Sequence, residues 1–106
     1  GQIEGGVLQG IGFALGEELT FDESGRPINP RFSEYQVPGP DGLPEIEPVI
    51  VESNEPSGPY GAKGIGDIVV TAMAPAIANA IYNATGARIR SLPLSPEKVL
   101  EALEAL

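Results

Sequence analysis

The sequence predicts an α+β fold in which about three helices pack on a small mixed sheet. Three observations carry that expectation. Apolar residues recur at helical spacing in three stretches, near 2–18, 68–85 and 96–106. Between them, short runs of β-branched and aromatic residues are set off by Gly, Pro, Asp and Ser, the residues of turns. The length of 106 residues leaves room for one modest core and not for two.

From Gln2 to Leu19, the residues Ile3, Val7, Leu8, Ile11, Ala14 and Leu15 form one continuous helical stripe. Gly5, Gly6, Gly10, Gly12 and Gly16 lie inside it, and each costs about 1 kcal/mol against alanine in a helix interior. So many bare positions call for close approach by another helix, a loop or a bound group. Gly6 with Gly10, and Gly12 with Gly16, have the spacing that lets backbones meet. The face bearing Gly5, Gly12 and Gly16 is expected to be covered by other segments or a cofactor. Glu4, Gln9, Glu17 and Glu18 interrupt the hydrophobicity and argue against a membrane dimer motif.

Glu18 to Phe21 reads as a short strand closed by the turn Asp22-Glu23-Ser24-Gly25, with Arg26 to Pro30 returning. Arg31 to Val37 extends as an edge strand. Pro38, Pro40 and Pro44, with Gly39 and Gly42, then make the chain irregular, because proline removes ladder donors. Glu45 to Glu52 resumes as a β-branched strand in which Pro48 favours an edge or a bulge. Glu45, Glu47, Glu52 and Glu55 read as a wet surface or as a face toward a partner domain.

Residues 58–67, Gly-Pro-Tyr-Gly-Ala-Lys-Gly-Ile-Gly-Asp, suit a ligand loop better than a packed core. Glycines at 58, 61, 64 and 66 permit φ > 0 and leave no Cβ in the way of a ligand. Asp67 falls at the mouth of the following helix, where a carboxylate can cap free N–H groups. Two phosphate motifs are excluded: Lys63 is followed by Gly64 and not by Ser or Thr, and Gly66 is followed three places on by Val69. A glycine-rich turn ending in a helix cap is the simpler reading of this spacing.

Beyond the loop, Met73, Ile77, Ala80, Ile81 and Ala84 give a second helical stripe, with Pro75 forcing a kink or a restart and Thr85-Gly86 ending it. Residues 87–92 alternate as a half-buried strand does, Arg88 and Arg90 on one face. Ser95 caps a last helix with Pro96 at its first position, and Val99, Leu100, Leu103 and Leu106 face inward.

A formal net charge of −9 argues against nucleic acid and against an anionic membrane surface as partners. With no cysteine and no histidine, the chain has no disulfide, no thiolate nucleophile, no imidazole base, and neither a Cys-type metal site nor the commonest zinc arrangements. No apolar run approaches the length of a membrane span, and the N-terminus has no signal-peptide pattern, so the chain reads as soluble. The opening Gly1-Gln2-Ile3-Glu4, without an initiator methionine, suggests a piece of something longer.

Several separated motifs in order resemble the C-terminal end of the xanthine dehydrogenase and aldehyde oxidase family of molybdenum hydroxylases. They are Gly1-Gln2-Ile3-Glu4-Gly5-Gly6 through Gln9-Gly10-Ile11-Gly12, Ser33-Glu34-Tyr35-Gln36-Val37-Pro38, and Gly61-Ala62-Lys63-Gly64-Ile65-Gly66. Ala74-Pro75-Ala76-Ile77-Ala78-Asn79-Ala80-Ile81 and Arg88-Ile89-Arg90-Ser91-Leu92-Pro93-Leu94-Ser95-Pro96-Glu97 complete the set. The resemblance implies that residues 1–106 are one C-terminal subdomain of the family's second molybdopterin-binding domain. It implies a molybdopterin cofactor with molybdenum, in the cytosine dinucleotide form, in the complete enzyme and none in this stretch alone. It also implies partners: the remaining molybdopterin-binding domain, iron–sulfur and flavin domains or subunits, an aldehyde or N-heterocycle substrate, an oligomer, and a cytoplasmic setting.

By motif position, Asp67 takes the place of the family's catalytic glutamate, which accepts a proton at the reacting centre. Gly64, Ile65 and Gly66 match the loop that brings that residue to the metal, and Gln2 matches a glutamine beside the cofactor. Aspartate is one methylene shorter than the family's residue. Asp67 is therefore a base with a shifted backbone, a helix cap, or a base reached through water. Lys63 either balances Asp67 or a cofactor phosphate, or is a plain surface lysine, and Tyr60 reads as loop packing. The chain alone is not expected to turn over, and the rival reading is a non-catalytic interaction or assembly domain.

Overall fold

The computed structural model describes residues 1–106. Four α-helices follow one another: α1 Gln2–Leu15, α2 Ile68–Thr71, α3 Met73–Thr85 and α4 Pro96–Glu104. Two short 3₁₀ turns, Pro40–Gly42 and Pro59–Gly61, punctuate the long irregular middle.

The first helix is held through the same bare positions that lower its intrinsic helix propensity. It packs against both α2 and α3. A Cβ built on Gly6 would lie 2.7 Å from Val69 Cβ, and one on Gly10 would lie 2.5 Å from Met73 Cβ. These two glycines let the helices touch backbone to side-chain root. The chain's own loop covers part of the other face, since a Cβ on Gly12 would meet Pro38 and one on Gly16 would meet Gln36. Gly5 has nothing within 4 Å.

The stretch expected as one helix from 68 to 85 is two. It breaks at Ala72 and restarts at Met73. The restart puts Pro75 in the first turn of α3, where a missing N–H breaks no intrahelical bond. Gly86 closes α3 in the left-handed region at φ 79°, donating its N–H to the Tyr82 carbonyl at 2.7 Å. Ser95 caps α4 as expected, its side chain accepting from the Lys98 N–H, with Pro96 following. One expectation about membranes needs correction. Ile68–Thr85 is an 18-residue window of mean hydropathy 1.3, long and apolar enough to cross a bilayer by length and composition. Here it is interrupted at Ala72 and lies against α1.

The expected sheet is absent, so the α+β assignment is overturned. The sole β pairing is an isolated antiparallel bridge between Phe21 and Pro27. Two backbone bonds, from the Asp22 N–H to the Arg26 carbonyl and from the Ile28 N–H to the Thr20 carbonyl, both 2.9 Å, cross this hairpin-like stretch, and side chains reinforce it. Asp22 Oδ1 accepts from the N–H groups of Ser24 and Arg26 and from the Ser24 hydroxyl, and Asn29 Oδ1 accepts from the Thr20 N–H and hydroxyl. Pro27 and Pro30 lack the donors that would extend a ladder. Residues 31–35 turn back on themselves, with the N–H groups of Glu34 and Tyr35 both donating to the Arg31 carbonyl. Residues 45–52 and 87–92 find no strand beside them. Arg88 instead folds onto α3, its guanidinium 3.8 Å above the Tyr82 ring and bonded to Asn79 at 2.9 Å.

The core is correspondingly slight. Ala14, Ala87 and Leu94 are its buried hydrophobic residues, gathered where the end of α1 meets the approach to α4. The Leu94 N–H donates to the Ala14 carbonyl at 2.6 Å, tying the two segments together.

Candidate functional site

The loop before α2 is shaped by an acid that the sequence reading left on the surface. Glu55 is half-buried, and its carboxylate accepts from the Ser57 hydroxyl at 2.7 Å and the Ser57 N–H at 3.2 Å. Its backbone N–H donates to Gly61, while Gly58 donates back to it, so both ends of the loop are pinned at one residue. The Ser57 hydroxyl bond, with the Ser57 N–H behind it, holds the Glu55 carboxyl below its ordinary pKa. The local order Glu-x-Ser is the signal that identifies this turn.

Within the pinned loop, Asn54 at φ 46°, Tyr60 at φ 56° and Gly61 at φ 76° take left-handed backbone. Glycine itself is required at Gly61, where a Cβ would also lie 3.2 Å from Asn54 Cα, and at Gly58, where a Cβ would run into the Ala62 carbonyl oxygen. Tyr60 is fully exposed and carries a backbone strain of about 1–3 kcal/mol. Gly58, Gly64 and Gly66 do not use positive φ, contrary to the expectation from sequence. At Gly64 and Gly66 a Cβ would meet nothing within 4 Å. Their bareness serves no contact inside this chain.

A cavity of about 660 Å³ opens beside the loop. Three segments wall it: Gly1–Ile3 at the start of α1, Val49–Asn54, and Tyr60–Ile65 with Ile68. The lining therefore includes Gln2, Gly64 and Ile65 together, with Lys63 as its one cation and Glu52 as its one acid. Gly66 and Asp67 are not part of it. In sequence they lie between the lining residues Ile65 and Ile68.

Asp67 is exposed and occupies the capping position of α2, yet its side chain makes no capping bond. The backbone explains this. At φ −59°, ψ −16°, the residue is already helical, whereas a capping side chain reaches the first N–H groups from an extended backbone. Neither Asp67 nor Lys63 is in an ion pair. The reading in which they balance each other is not realised here, and the carboxylate remains unspent.

Residues 1–44 match the family described as a molybdopterin cofactor-binding domain. The chain is 43% identical over 102 residues to the xanthine dehydrogenase molybdenum-binding subunit of Escherichia coli O157:H7, covering 95% of this chain and 14% of that one. It is 43% identical over 112 residues to the aldehyde oxidoreductase of Megalodesulfovibrio gigas, covering 99% of this chain and 11% of that one. The crystal structure of quinoline 2-oxidoreductase from Pseudomonas putida 86 superposes with a TM-score of 0.87 at 27% identity, over 97% of this chain and 14% of the other. The chain belongs to the xanthine dehydrogenase and aldehyde oxidoreductase family of molybdenum hydroxylases. It corresponds to a part of their molybdopterin-binding region and spans about one seventh or less of the relatives' length.

The site suits the cofactor of a molybdenum hydroxylase on three counts. Backbone at Gly64 and Gly66 is open to close approach, Lys63 offers an uncommitted ammonium in the cavity wall, and the Asp67 carboxylate, on the same loop, makes no capping bond. The sequence reading missed the second wall, Val49–Asn54, because a β-branched run reads as part of a sheet and not as the side of a cleft.

Proposed function

We propose that this chain forms one wall of the molybdopterin site in a complete molybdenum hydroxylase and supplies its proton-accepting carboxylate, Asp67. The observation that carries the reading is the unspent carboxylate directly after Gly64 and Gly66, two glycines that are bare for no reason internal to the chain. When bound, the cofactor supplies the oxidation, withdrawing two electrons as a substrate carbon is hydroxylated.

The chain's own residues then have separate tasks. Gly64 and Gly66 admit a large group against the backbone, and Gln2 offers an amide that both donates and accepts at the start of α1. Lys63 meets negative charge, the chemistry of a phosphate on the cofactor. Asp67 accepts a proton from the reacting oxygen. Its one-methylene deficit against glutamate matters, since a misplacement of about 1 Å at a reacting centre costs on the order of a hundredfold in rate. The finer assignments, all from the family, are the cytosine dinucleotide form of the cofactor, iron–sulfur and flavin partners, and an aldehyde or N-heterocycle substrate.

The test is a pair of substitutions in the metal-loaded complete enzyme, with molybdenum and released nucleotide measured for each. Asp67→Asn keeps shape and polarity but cannot accept the proton, and a turnover loss of about 10²–10⁴-fold at full molybdenum content is expected. Asp67→Glu is expected to preserve or raise turnover. An Asp67→Asn enzyme with full metal and undiminished turnover would remove Asp67 from the chemistry.

A further inference from the structure

From Leu43 to Glu55 the chain runs without helix, turn or bend. None of the residues 44–54 gives or receives a backbone hydrogen bond within the chain, and none of their side chains is bonded either. In the middle, Val49, Ile50 and Val51 stand 77%, 82% and 84% exposed. Three successive β-branched residues in water, on backbone with every polar group unpaired, are a strand without a sheet.

We propose that residues 45–53 are a β-strand completed by another segment of the same molybdenum subunit, which bonds to the edge presented by Glu45, Glu47, Val49, Val51 and Ser53. The choice of edge follows from Pro48. Along a strand, alternate residues turn their N–H and C=O to opposite edges. The edge of Ile46, Pro48, Ile50 and Glu52 has a gap where proline lacks its donor, whereas the odd-numbered edge is complete.

The occupant is identified by shape and charge. The same conformation superposes on a stretch that is only 14% of the quinoline 2-oxidoreductase chain, so in that protein it is set within a far longer polypeptide. A second copy is disfavoured, because antiparallel self-pairing would bring Glu45, Glu47, Glu52 and Glu55 of two acidic chains onto one ribbon. The fitting strand carries apolar residues opposite Val49–Val51 and basic residues toward Glu45 and Glu47. Since Val49–Asn54 also wall the cavity, the incoming strand fixes one side of the cofactor site. The inference rests on the reading that the chain works within a complete molybdopterin-binding subunit, and it is independent of what Asp67 does.

The test is residue-resolved amide hydrogen exchange on the full-length subunit at two protein concentrations. Exchange at Val49 and Val51 is expected to be slowed about a hundredfold or more, equally at both concentrations. Proline variants supply a second readout: Val51→Pro should lower the subunit's Tm beyond Val51→Ala, whereas Ile50→Pro should match Ile50→Ala. Free exchange at Val49 and Val51 would overturn the proposal, as would protection confined to Ile50 and Glu52. Protection that grows with concentration alongside a dimer in sedimentation would overturn it in favour of a second copy. Alternating protection in a subunit whose Asp67→Asn form still turns over would leave the strand standing and remove only the base.

Discussion

Replacing Gly10 by alanine tests the helix packing at the position where it is tightest. In an isolated helix this change stabilises by about 1 kcal/mol, because alanine restricts the unfolded chain and hides backbone from water. At Gly10 the new methyl would lie 2.5 Å from both Cβ and Cγ of Met73 and 3.4 Å from the Val70 carbonyl oxygen. Met73 can swing its Cγ away, but its Cβ moves only with α3 itself. Overpacking of this kind costs about 1–3 kcal/mol, so Gly10→Ala should come out roughly 0–2 kcal/mol destabilising in net. Gly5→Ala is the internal control. Nothing lies within 4 Å of that position, so the same substitution five residues earlier on the same helix should stabilise by about 1 kcal/mol. Urea unfolding of the two variants followed by far-ultraviolet circular dichroism reads both signs. Adding Met73→Ala to Gly10→Ala should recover only part of the loss, because alanine retains the Cβ. Equal stabilisation by both single substitutions would show that α1 does not rest on α3 through Gly10.

Two further outcomes follow from the turns. The Ser24 hydroxyl, then the Arg26 and Ser24 N–H groups, hold the Asp22 carboxyl below its ordinary pKa. Its folded value thus lies below its unfolded one. Asp22 therefore contributes stability that is present above the unfolded pKa and is lost as pH falls through the folded one, and Asp22→Ala should flatten that acid limb of the Tm–pH curve. An unchanged acid limb would show that the turn is held otherwise. Gly61→Ala should loosen the pinned loop through its φ of 76° and the 3.2 Å approach to Asn54, and limited proteolysis between Glu55 and Lys63 should quicken. Unchanged cleavage would mean that the loop does not depend on that conformation.

Local information made the helices legible. Helical periodicity is written in neighbouring residues, so α1 and α4 appear within a few residues of their expected bounds, the stretch 68–85 is helical though split at Ala72, and the signals at Ser95-Pro96 and Gly86 mark real ends. The glycines at 6 and 10 announced a close helix contact for the same reason. Strand pairing is different, since a strand's stability lies in its neighbour. Glu45–Glu52 has strand composition and no partner within these residues, and Arg88 finds a better contact on Tyr82 than in a ladder. At the site, residues far apart in sequence, Gln2 and Gly64-Ile65, line one cavity, an arrangement that no local pattern encodes. Asp67 was expected at a helix mouth and is there, but whether it caps depends on a backbone angle that composition does not reveal.

The open surface and the open site have one origin. The chain exposes 8027 Å², whereas a compact monomer of its mass would expose roughly 5,600 Å². Its radius of gyration, 17.4 Å, likewise exceeds the ~13 Å of a compact domain of this length. The excess of roughly 2,400 Å² is of the order that permanent interfaces bury. It is not spread evenly. Val49–Val51 and Tyr60 are its most exposed apolar parts near the cavity, while the α1–α3 contact is tight enough to exclude a methyl group. A helical base thus carries a wall without backbone bonds and a loop pinned at Glu55. Closing the cleft with side chains from within the chain would give it a core and leave no space for a large cofactor. Leaving it open requires the missing burial to come from elsewhere in the subunit, so the residues that complete the fold and those that complete the site should be found on the same partner surface.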